Sequence, residues 1–137
     1  MDLLIMDRDE TERMGIEWFV KSNQMPFQNI YHAENLRQAT NILKKHQPDV
    51  VMLELEMLTK NNTEAFASHL FRYCKNLITV TAEPVFQRAI QAIELKTTSL
   101  LVKPFNLKLL KKALTQTTNV ENRTSGDPDS LSDHQDI

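Results

Sequence analysis

The chain has 137 residues, of which 41% are hydrophobic and 25% are charged, enough for one globular domain with a buried core and too few for two. The net charge of −2 and the isoelectric point near 6.1 provide no basic footprint for nucleic acid. The single cysteine, Cys74, excludes an intrachain disulfide and a multi-cysteine zinc site. No apolar run reaches the roughly 18 residues of a membrane span, and the N-terminus lacks the basic region of a signal peptide. We therefore expect a cytoplasmic protein.

Short apolar runs alternate with amphipathic segments along the first 118 residues. Apolar runs of this length are typical of strands that are buried on both faces of a sheet. Five alternations of strand and helix predict an α/β fold with a parallel sheet that carries helices on both faces. The predicted strands cover residues 3–6, 27–31, 50–53, 77–81 and 99–102, and the predicted helices cover residues 11–21, 36–46, 61–73, 85–95 and 106–115.

The first predicted helix carries Met14, Trp18 and Phe19 at helical spacing. Apolar residues that recur on one helical face are more often core residues than parts of a ligand site. We therefore expect these three side chains to be buried.

The last part of the chain has a different character. Residues 119–137 include few apolar side chains, and their acidic residues outnumber the basic ones. A segment of this composition buries too little apolar surface to fold by itself. We predict a folded domain over residues 1–118 and an acidic, disordered tail or linker over 119–137.

Polar side chains stand at the ends of four of the five predicted strands. Asp7 and Arg8 follow the first strand, and Glu54 follows the third. Thr81 ends the fourth strand, and Lys103 follows the fifth. The carboxyl ends of parallel strands lie at one edge of the sheet, where ligands of such sheets bind. The sequence therefore predicts that these side chains meet there.

The chain resembles a response-regulator receiver domain over residues 1–118. The resemblance is carried by Leu-Leu-Ile-Met-Asp at the first strand, Pro-Asp-Val-Val-Met-Leu-Glu at the third, Thr-Ala at the fourth and Leu-Val-Lys-Pro-Phe at the fifth. It implies a CheY-like, flavodoxin-type (βα)5 fold with strand order 2-1-3-4-5. Residues 12–16 and 33–35 also resemble receivers of AraC-type (YesN-like) regulators from Gram-positive bacteria, which implies a DNA-binding domain in a longer chain.

The resemblance also implies a chemistry. In the family, an aspartate at the end of the third strand accepts a phosphoryl group, and together with two acids after the first strand it holds Mg²⁺. By the same resemblance, Thr81 and Lys103 would contact the phosphoryl group, and an aromatic residue of the fifth strand would swing inward. The peptide bond before Pro104 is expected to be cis.

This sequence departs from the family pattern at the positions that carry that chemistry. Glu54 stands at the acceptor position, and Arg8 stands where the second metal-binding acid is usual, between Asp7 and Asp9. Leu100 stands at the aromatic position. The proline and glycine usual after the third strand are missing, with Leu58 at the proline's place.

The substitutions at residues 8 and 54 predict that Mg²⁺ is absent and that no phosphoryl group is accepted. Mg²⁺ requires oxygen ligands in octahedral geometry, whereas a guanidinium cannot ligate a cation and repels it. Without the metal, phosphoryl transfer loses its charge neutralisation. Arg8 is expected either to pair with Asp7 or Glu54 inside the pocket or to point to solvent, and Glu54 to pair with Lys103.

The first functional hypothesis is therefore a pseudo-receiver, a module of a signalling or transcriptional regulator that works without phosphorylation and is not an enzyme. It would contact a protein partner or a second copy of itself through the face built from the fourth helix, the fifth strand and the fifth helix. Candidate contact residues on that face are Ile90, Ile93, Lys96, Leu107 and Lys111.

Two alternatives stay open. One is a receiver that is phosphorylated at a non-standard acceptor, for instance Asp9, or that still binds a metal. The other is a small nucleotide-binding α/β protein or enzyme, which is less favoured because no glycine-rich phosphate loop follows the first strand.

Overall fold

A computed structural model describes residues 1–126 of the chain, with side chains described as far as residue 118. Within this range strands and helices alternate along the sequence, and a 3-10 turn follows the third strand. The elements, in chain order, are β1 (Asp2–Met6), α1 (Glu10–Ser22), β2 (Asn29–Ala33), α2 (Leu36–His46), β3 (Val50–Glu54), the 3-10 turn (Leu55–Met57), α3 (Thr63–Tyr73), β4 (Asn76–Thr81), α4 (Phe86–Glu94), β5 (Ser99–Val102) and α5 (Leu107–Gly126).

The five strands form one sheet in the order β2-β1-β3-β4-β5. Every neighbouring pair is parallel, so the carboxyl ends of all five strands lie at the same edge. This confirms the predicted fold class and strand order. The order reverses between β1 and β3, which is the point where open α/β sheets of this kind bind ligands.

The core lies on both faces of the sheet. β3, at its centre, is buried along its whole length, as its unbroken apolar run predicted. Alternate residues of the strands point to opposite faces, so α2, α3 and α4 cover one face and α1 and α5 cover the other. The largest fully buried side chains include Leu4, Leu43, Leu53, Ile78 and Leu114.

Capping side chains fix where two of the helices begin. Asp9 precedes α1, and its carboxylate accepts a hydrogen bond from the Thr11 amide. Asn35 precedes α2, and its side chain accepts from the Gln38 amide at 2.9 Å. Each cap satisfies an amide that the first turn of a helix leaves without a partner. These caps place two loops at the carboxyl edge of the sheet.

The structure corrects the predicted face of α1. Met14 and Trp18 are exposed, and Phe19 alone of the three predicted core residues is buried. Ile16 and Val20 complete the buried face instead. Apolar residues surround much of this helix, and the sheet covers only one side of it. Helical spacing alone therefore predicted the wrong buried face.

Two predicted boundaries also differ from the structure. β2 covers Asn29–Ala33, two residues later than predicted, although it lies at the edge of the sheet as expected. α5 continues to Gly126, beyond its predicted end at residue 115, while the domain boundary at residue 118 stays a prediction. The rest of the predicted tail lies outside the described residues. Among the described helices, none is long and apolar enough to cross a membrane.

Candidate functional site

The strand ends bring together three of the predicted site residues. Asp7 directly follows β1, Glu54 ends β3, and Lys103 directly follows β5. The Lys103 Nζ donates to Asp7 Oδ2 at 2.7 Å and to Glu54 Oε2 at 3.4 Å. Both carboxylates are almost fully buried. The expected pairing of Glu54 with Lys103 is therefore present, although Lys103 lies closer to Asp7.

Arg8 adds a second cation to Glu54. Its Nε donates to Glu54 Oε1 at 3.1 Å, and its Nη2 donates to Glu54 Oε2 at 2.9 Å. The Arg8 backbone amide also donates to Glu54 Oε1, at 3.1 Å. Of the orientations that the sequence left open, the structure has Arg8 paired with Glu54. The fork of a guanidinium matches the two oxygens of a carboxylate, which makes this a strong kind of ion pair.

The exposure of the two side chains explains how Arg8 acts. The Arg8 side chain is 58% exposed, whereas the Glu54 side chain is only 5% exposed. Arg8 thus lies across the opening above Glu54 and contacts it from the solvent side. The outer part of Arg8 borders an open pocket of about 360 Å³, which Glu34, Leu36 and Met57 also line. Solvent therefore reaches Arg8 far more readily than it reaches the carboxylate.

The charges of the site shift its ionisation equilibria. Burial by itself would raise the pKa of Glu54, but the hydrogen bonds from Arg8 and the charge of Lys103 outweigh it, and the pKa is lowered. The pKa of Arg8 is raised, chiefly by its hydrogen bond to Glu54. Burial would lower the pKa of Lys103, but contact with Asp7 and Glu54 raises it. Each of these three shifts favours the ionised form, so Arg8 and Lys103 are held as cations and Glu54 is held as an anion.

Asp9 lies outside this cluster. Its side chain is exposed and accepts the hydrogen bond that caps α1, while its backbone amide donates to Asp7 Oδ1 at 2.9 Å. The sequence grouped Asp9 with the pocket because it lies two residues from Asp7. The start of α1 turns its carboxylate toward the helix instead.

Thr81 also has partners outside the cluster. Its hydroxyl lies 2.5 Å from Glu56 Oε2 and 3.0 Å from the Glu83 amide. The Ala82 amide donates to the same Glu56 oxygen at 3.2 Å, and Arg88 Nε lies 3.5 Å from it. The family resemblance implied a phosphoryl contact for Thr81. Its main charged partner, Glu56, was not predicted at all.

Glu56 was not predicted because it does not lie at the end of a strand. Glu56 lies in the 3-10 turn that follows β3, and this turn carries its side chain across to the end of β4. A second acid two residues after Glu54 is the only signal in the sequence.

The remaining predicted residues lie at the surface. Leu100 is partly exposed on β5, and Pro104 is exposed behind a cis peptide bond, as expected. Residues predicted to form an interaction face all lie at the surface of α4, α5 and the turn after α4: Ile90, Ile93, Lys96, Leu107 and Lys111.

The described side chains do not fit the Mg²⁺ ion that the resemblance implies. Glu54 accepts from Arg8 with both of its oxygens, and Asp7 accepts from Lys103 with one oxygen and from the Asp9 amide with the other. Within residues 1–126, no group of three or more Asp, Glu, His or Cys residues is placed to hold a metal. A cation would have to displace both Arg8 and Lys103 to reach these carboxylates.

The parallel five-stranded sheet, its strand order and the Asp-Glu-Thr-Lys set at its carboxyl edge together define a receiver-type signalling module. The response regulator receiver domain family matches residues 3–115. The chain belongs to this family.

Known proteins agree with that assignment. The chain is 28% identical over 116 residues to the transcriptional regulatory protein LytR of Staphylococcus aureus, an alignment that covers 83% of this chain and 46% of that protein. It is 24% identical over 128 residues to the sensory transduction protein LytR of Streptococcus mutans, covering 93% of this chain and 52% of the relative. The chain thus spans about half the length of these relatives.

Solved structures share the fold. The receiver domain of AraT, a response regulator from Geobacillus stearothermophilus, superposes with a TM-score of 0.78 at 21% identity, covering 90% of this chain and 97% of that one. The receiver domain of a DNA-binding response regulator (merR) from Colwellia psychrerythraea gives 0.74 at 24% identity, covering 87% and 98%. No enzyme family is indicated by these comparisons; receiver domains are signalling modules.

Proposed function

We propose that this receiver domain works without phosphorylation, as the cytoplasmic module of a signalling or transcriptional regulator that acts through protein contacts. The observation that carries the proposal is the Arg8–Glu54 pair. Arg8 occupies both oxygens of the carboxylate at the acceptor position and lies between it and solvent. A phosphoryl donor would have to displace the guanidinium. Arg8 and Lys103 also occupy the carboxylate oxygens that would hold Mg²⁺, the ion that neutralises charge in phosphoryl transfer.

The length of the relatives supports a role in a larger regulator. Two relatives carry the names transcriptional regulatory protein and sensory transduction protein, and this chain spans about half of each. We infer that the domain controls an output segment or a partner protein by contact. The finer resemblance to AraC-type regulators, with a DNA-binding domain in a longer chain, stays a prediction.

Intact-mass spectrometry after incubation with acetyl phosphate and Mg²⁺ tests the proposal. We expect no phosphoryl adduct on the wild-type chain. The double variant Arg8→Asp/Glu54→Asp is the matched positive control, because it restores the two acids that the family pattern has at these positions. A phosphoryl adduct on the wild-type chain would refute the proposal. Peptide mapping would then distinguish Glu54 from Asp9, the non-standard acceptor of the alternative.

The contact surface that we propose is the face of α4, β5 and α5. Exposed apolar side chains are concentrated there: Val85, Phe86, Ile90, Ile93, Leu100, Val102 and Leu107. Exposed apolar side chains that are concentrated on neighbouring elements indicate an interaction site more often than scattered ones do. Lys96 and Lys111 supply polar positions at the surface of the same elements, as the rim of an interface usually does.

Analytical ultracentrifugation tests this surface against a second copy of the chain. If the face forms a dimer, Ile93→Glu should shift the chain to monomer, whereas Met14→Glu, at an exposed apolar position on α1, should leave the sedimentation unchanged. A wild-type chain that is monomeric at all concentrations would direct the proposal to a different protein partner. Equal sensitivity to both substitutions would count against this face.

A further inference from the structure

Glu56 connects three elements at the carboxyl edge of the sheet. It lies in the 3-10 turn, and its Oε2 accepts from the Thr81 hydroxyl at the end of β4 and from the Ala82 amide just beyond it. Arg88, in the first turn of α4, places its Nε 3.5 Å from the same oxygen. The Glu56 side chain is 10% exposed. One carboxylate oxygen therefore links the 3-10 turn to the end of β4 by hydrogen bonds and to the start of α4 by an ionic contact.

The Thr81 hydroxyl lies closer to Glu56 than to its other possible acceptor, the Glu83 carbonyl, which is 3.1 Å away. A hydroxyl has one proton to donate, and a donor–acceptor distance of 2.5 Å to a carboxylate is typical of a charge-assisted bond. The Thr81 oxygen in turn accepts from the Glu83 amide at 3.0 Å. Thr81 is thus directed toward Glu56, while Glu54 is held by Arg8 and Lys103.

α4 depends on this contact because its start is otherwise weakly specified. The residue before its first turn, Val85, provides no side-chain cap, and the first turn contains no acidic residue. Arg88 even adds a positive charge at the end of the helix where the dipole is positive. The Glu56 carboxylate compensates both the guanidinium and the dipole, from outside the helix.

We propose that Glu56 is a positioning residue. Its carboxylate fixes the β4–α4 junction and thereby the orientation of the α4 surface. In the family that the chain resembles, the hydroxyl at the Thr81 position contacts a phosphoryl group. Here the Thr81 hydroxyl donates to a carboxylate of the chain itself. The inference deepens the proposed function, because α4 belongs to the proposed contact face.

Amide hydrogen exchange, followed by NMR on the full chain without phosphoryl donor or Mg²⁺, tests this role. In Glu56→Ala we expect the Ala82 amide and the first turn of α4 to exchange about tenfold faster or more, as loss of a bond to a charged group predicts. The second half of α2, which leads to the opposite edge of the sheet, should keep the wild-type rates. Glu83→Gln is the matched control, since Glu83 contacts the same arginine at 3.3 Å but is 64% exposed. That variant should exchange like wild type.

Chemical rescue separates positioning from general packing. Acetate can occupy the space that Glu56→Ala vacates and present a carboxylate to Thr81, Ala82 and Arg88. Added sodium acetate should therefore slow Ala82 exchange in this variant, whereas sodium chloride at the same ionic strength should not. Glu56→Gln keeps the shape but not the charge, and should lie between wild type and Glu56→Ala without any response to acetate.

Two outcomes would overturn the inference. One is Ala82 exchange in Glu56→Ala that matches Glu83→Gln. The other is an equal effect of acetate and chloride. If Glu56→Ala fails to fold, unchanged Ala82 exchange in the isosteric Glu56→Gln variant would overturn the inference in the same way. Neither outcome depends on whether residue 54 accepts a phosphoryl group, so this inference and the proposed function can fail separately.

Discussion

Arg8 and Glu54 are joined by two nearly parallel hydrogen bonds, of 3.1 Å and 2.9 Å, although one side chain is mostly exposed and the other is buried. This asymmetry determines what each residue contributes. Removing the exposed cation leaves a buried carboxylate with a weaker partner, which is costly. The guanidinium itself loses little when it returns to water. The pair therefore acts mainly by making a buried glutamate tolerable at the end of β3.

Arg8→Ala should destabilise the domain by about 1–2 kcal/mol, at the low end of the cost of leaving a buried charge without its partner. The cost is limited because Lys103 still lies 3.4 Å from Glu54 and because solvent screens the exposed side of the pair. Urea unfolding measures the change. Arg37→Ala, which removes an exposed arginine from α2, should change the unfolding free energy by less than about 0.5 kcal/mol. Equal effects of the two substitutions would contradict the prediction.

Glu54 should make stability depend on acid pH. Its pKa in the folded protein lies below its ordinary value of 4.5, so near that pH the unfolded chain binds more protons than the native one. The stabilisation is complete above this pH and is lost as the pH falls through the ordinary value toward the lowered one.

The measurement is the difference in unfolding free energy between wild type and Glu54→Gln, followed from about pH 7 to about pH 3. We expect wild type to lose its advantage as the pH falls. Glu17, whose pKa is also lowered, chiefly by Lys21 and then by His32, is present in both proteins and cancels. A difference that stays constant, or that grows in acid, would show that Glu54 is not stabilised as an anion.

The sequence predicted the framework better than the contacts within the site. The predicted bounds of α2 and β5 agree with the structure, because a capping asparagine and a short apolar run mark them locally. The meeting of Asp7, Glu54 and Lys103 followed from parallel strands alone. The pairing of Arg8 with Glu54 instead of Asp7 did not follow from the strands, because it depends on the contact that Lys103 makes with Asp7.

Two further features depend on geometry that the sequence does not encode locally. Glu56 reaches Thr81 because the 3-10 turn after β3 directs it there, and no pattern of spacing indicates that direction. The exposed position of Trp18 depends on how α1 lies on the sheet. Five apolar residues between positions 14 and 20 allow more than one buried stripe, and tertiary packing selects Ile16, Phe19 and Val20.

Trp18 and Phe19 should therefore respond very differently to substitution. Trp18 is 69% exposed and Phe19 is 7% exposed. Trp18→Gln should change the unfolding free energy by less than about 0.5 kcal/mol, whereas Phe19→Ala should cost about 3 kcal/mol or more through lost burial and the cavity left behind. Urea unfolding of both variants gives the comparison. In wild type, acrylamide should quench Trp18 fluorescence about as well in the native state as in urea, and a strongly protected Trp18 would contradict this orientation of α1.

Cys74 should be unreactive in the folded protein. Burial raises the pKa of its thiol to about 12, and the Sγ–H donates to the Asn76 carbonyl at 3.1 Å. Because the thiolate is the reactive species, alkylation by iodoacetamide near pH 8 should be slower by about 100-fold or more than in urea. The variant Cys74→Ser/Ser68→Cys moves the thiol to an exposed position on α3 and should react at nearly the same rate with and without urea. Rapid alkylation of native wild type would show that the end of α3 opens readily, and that the thiol is not held in the environment described here.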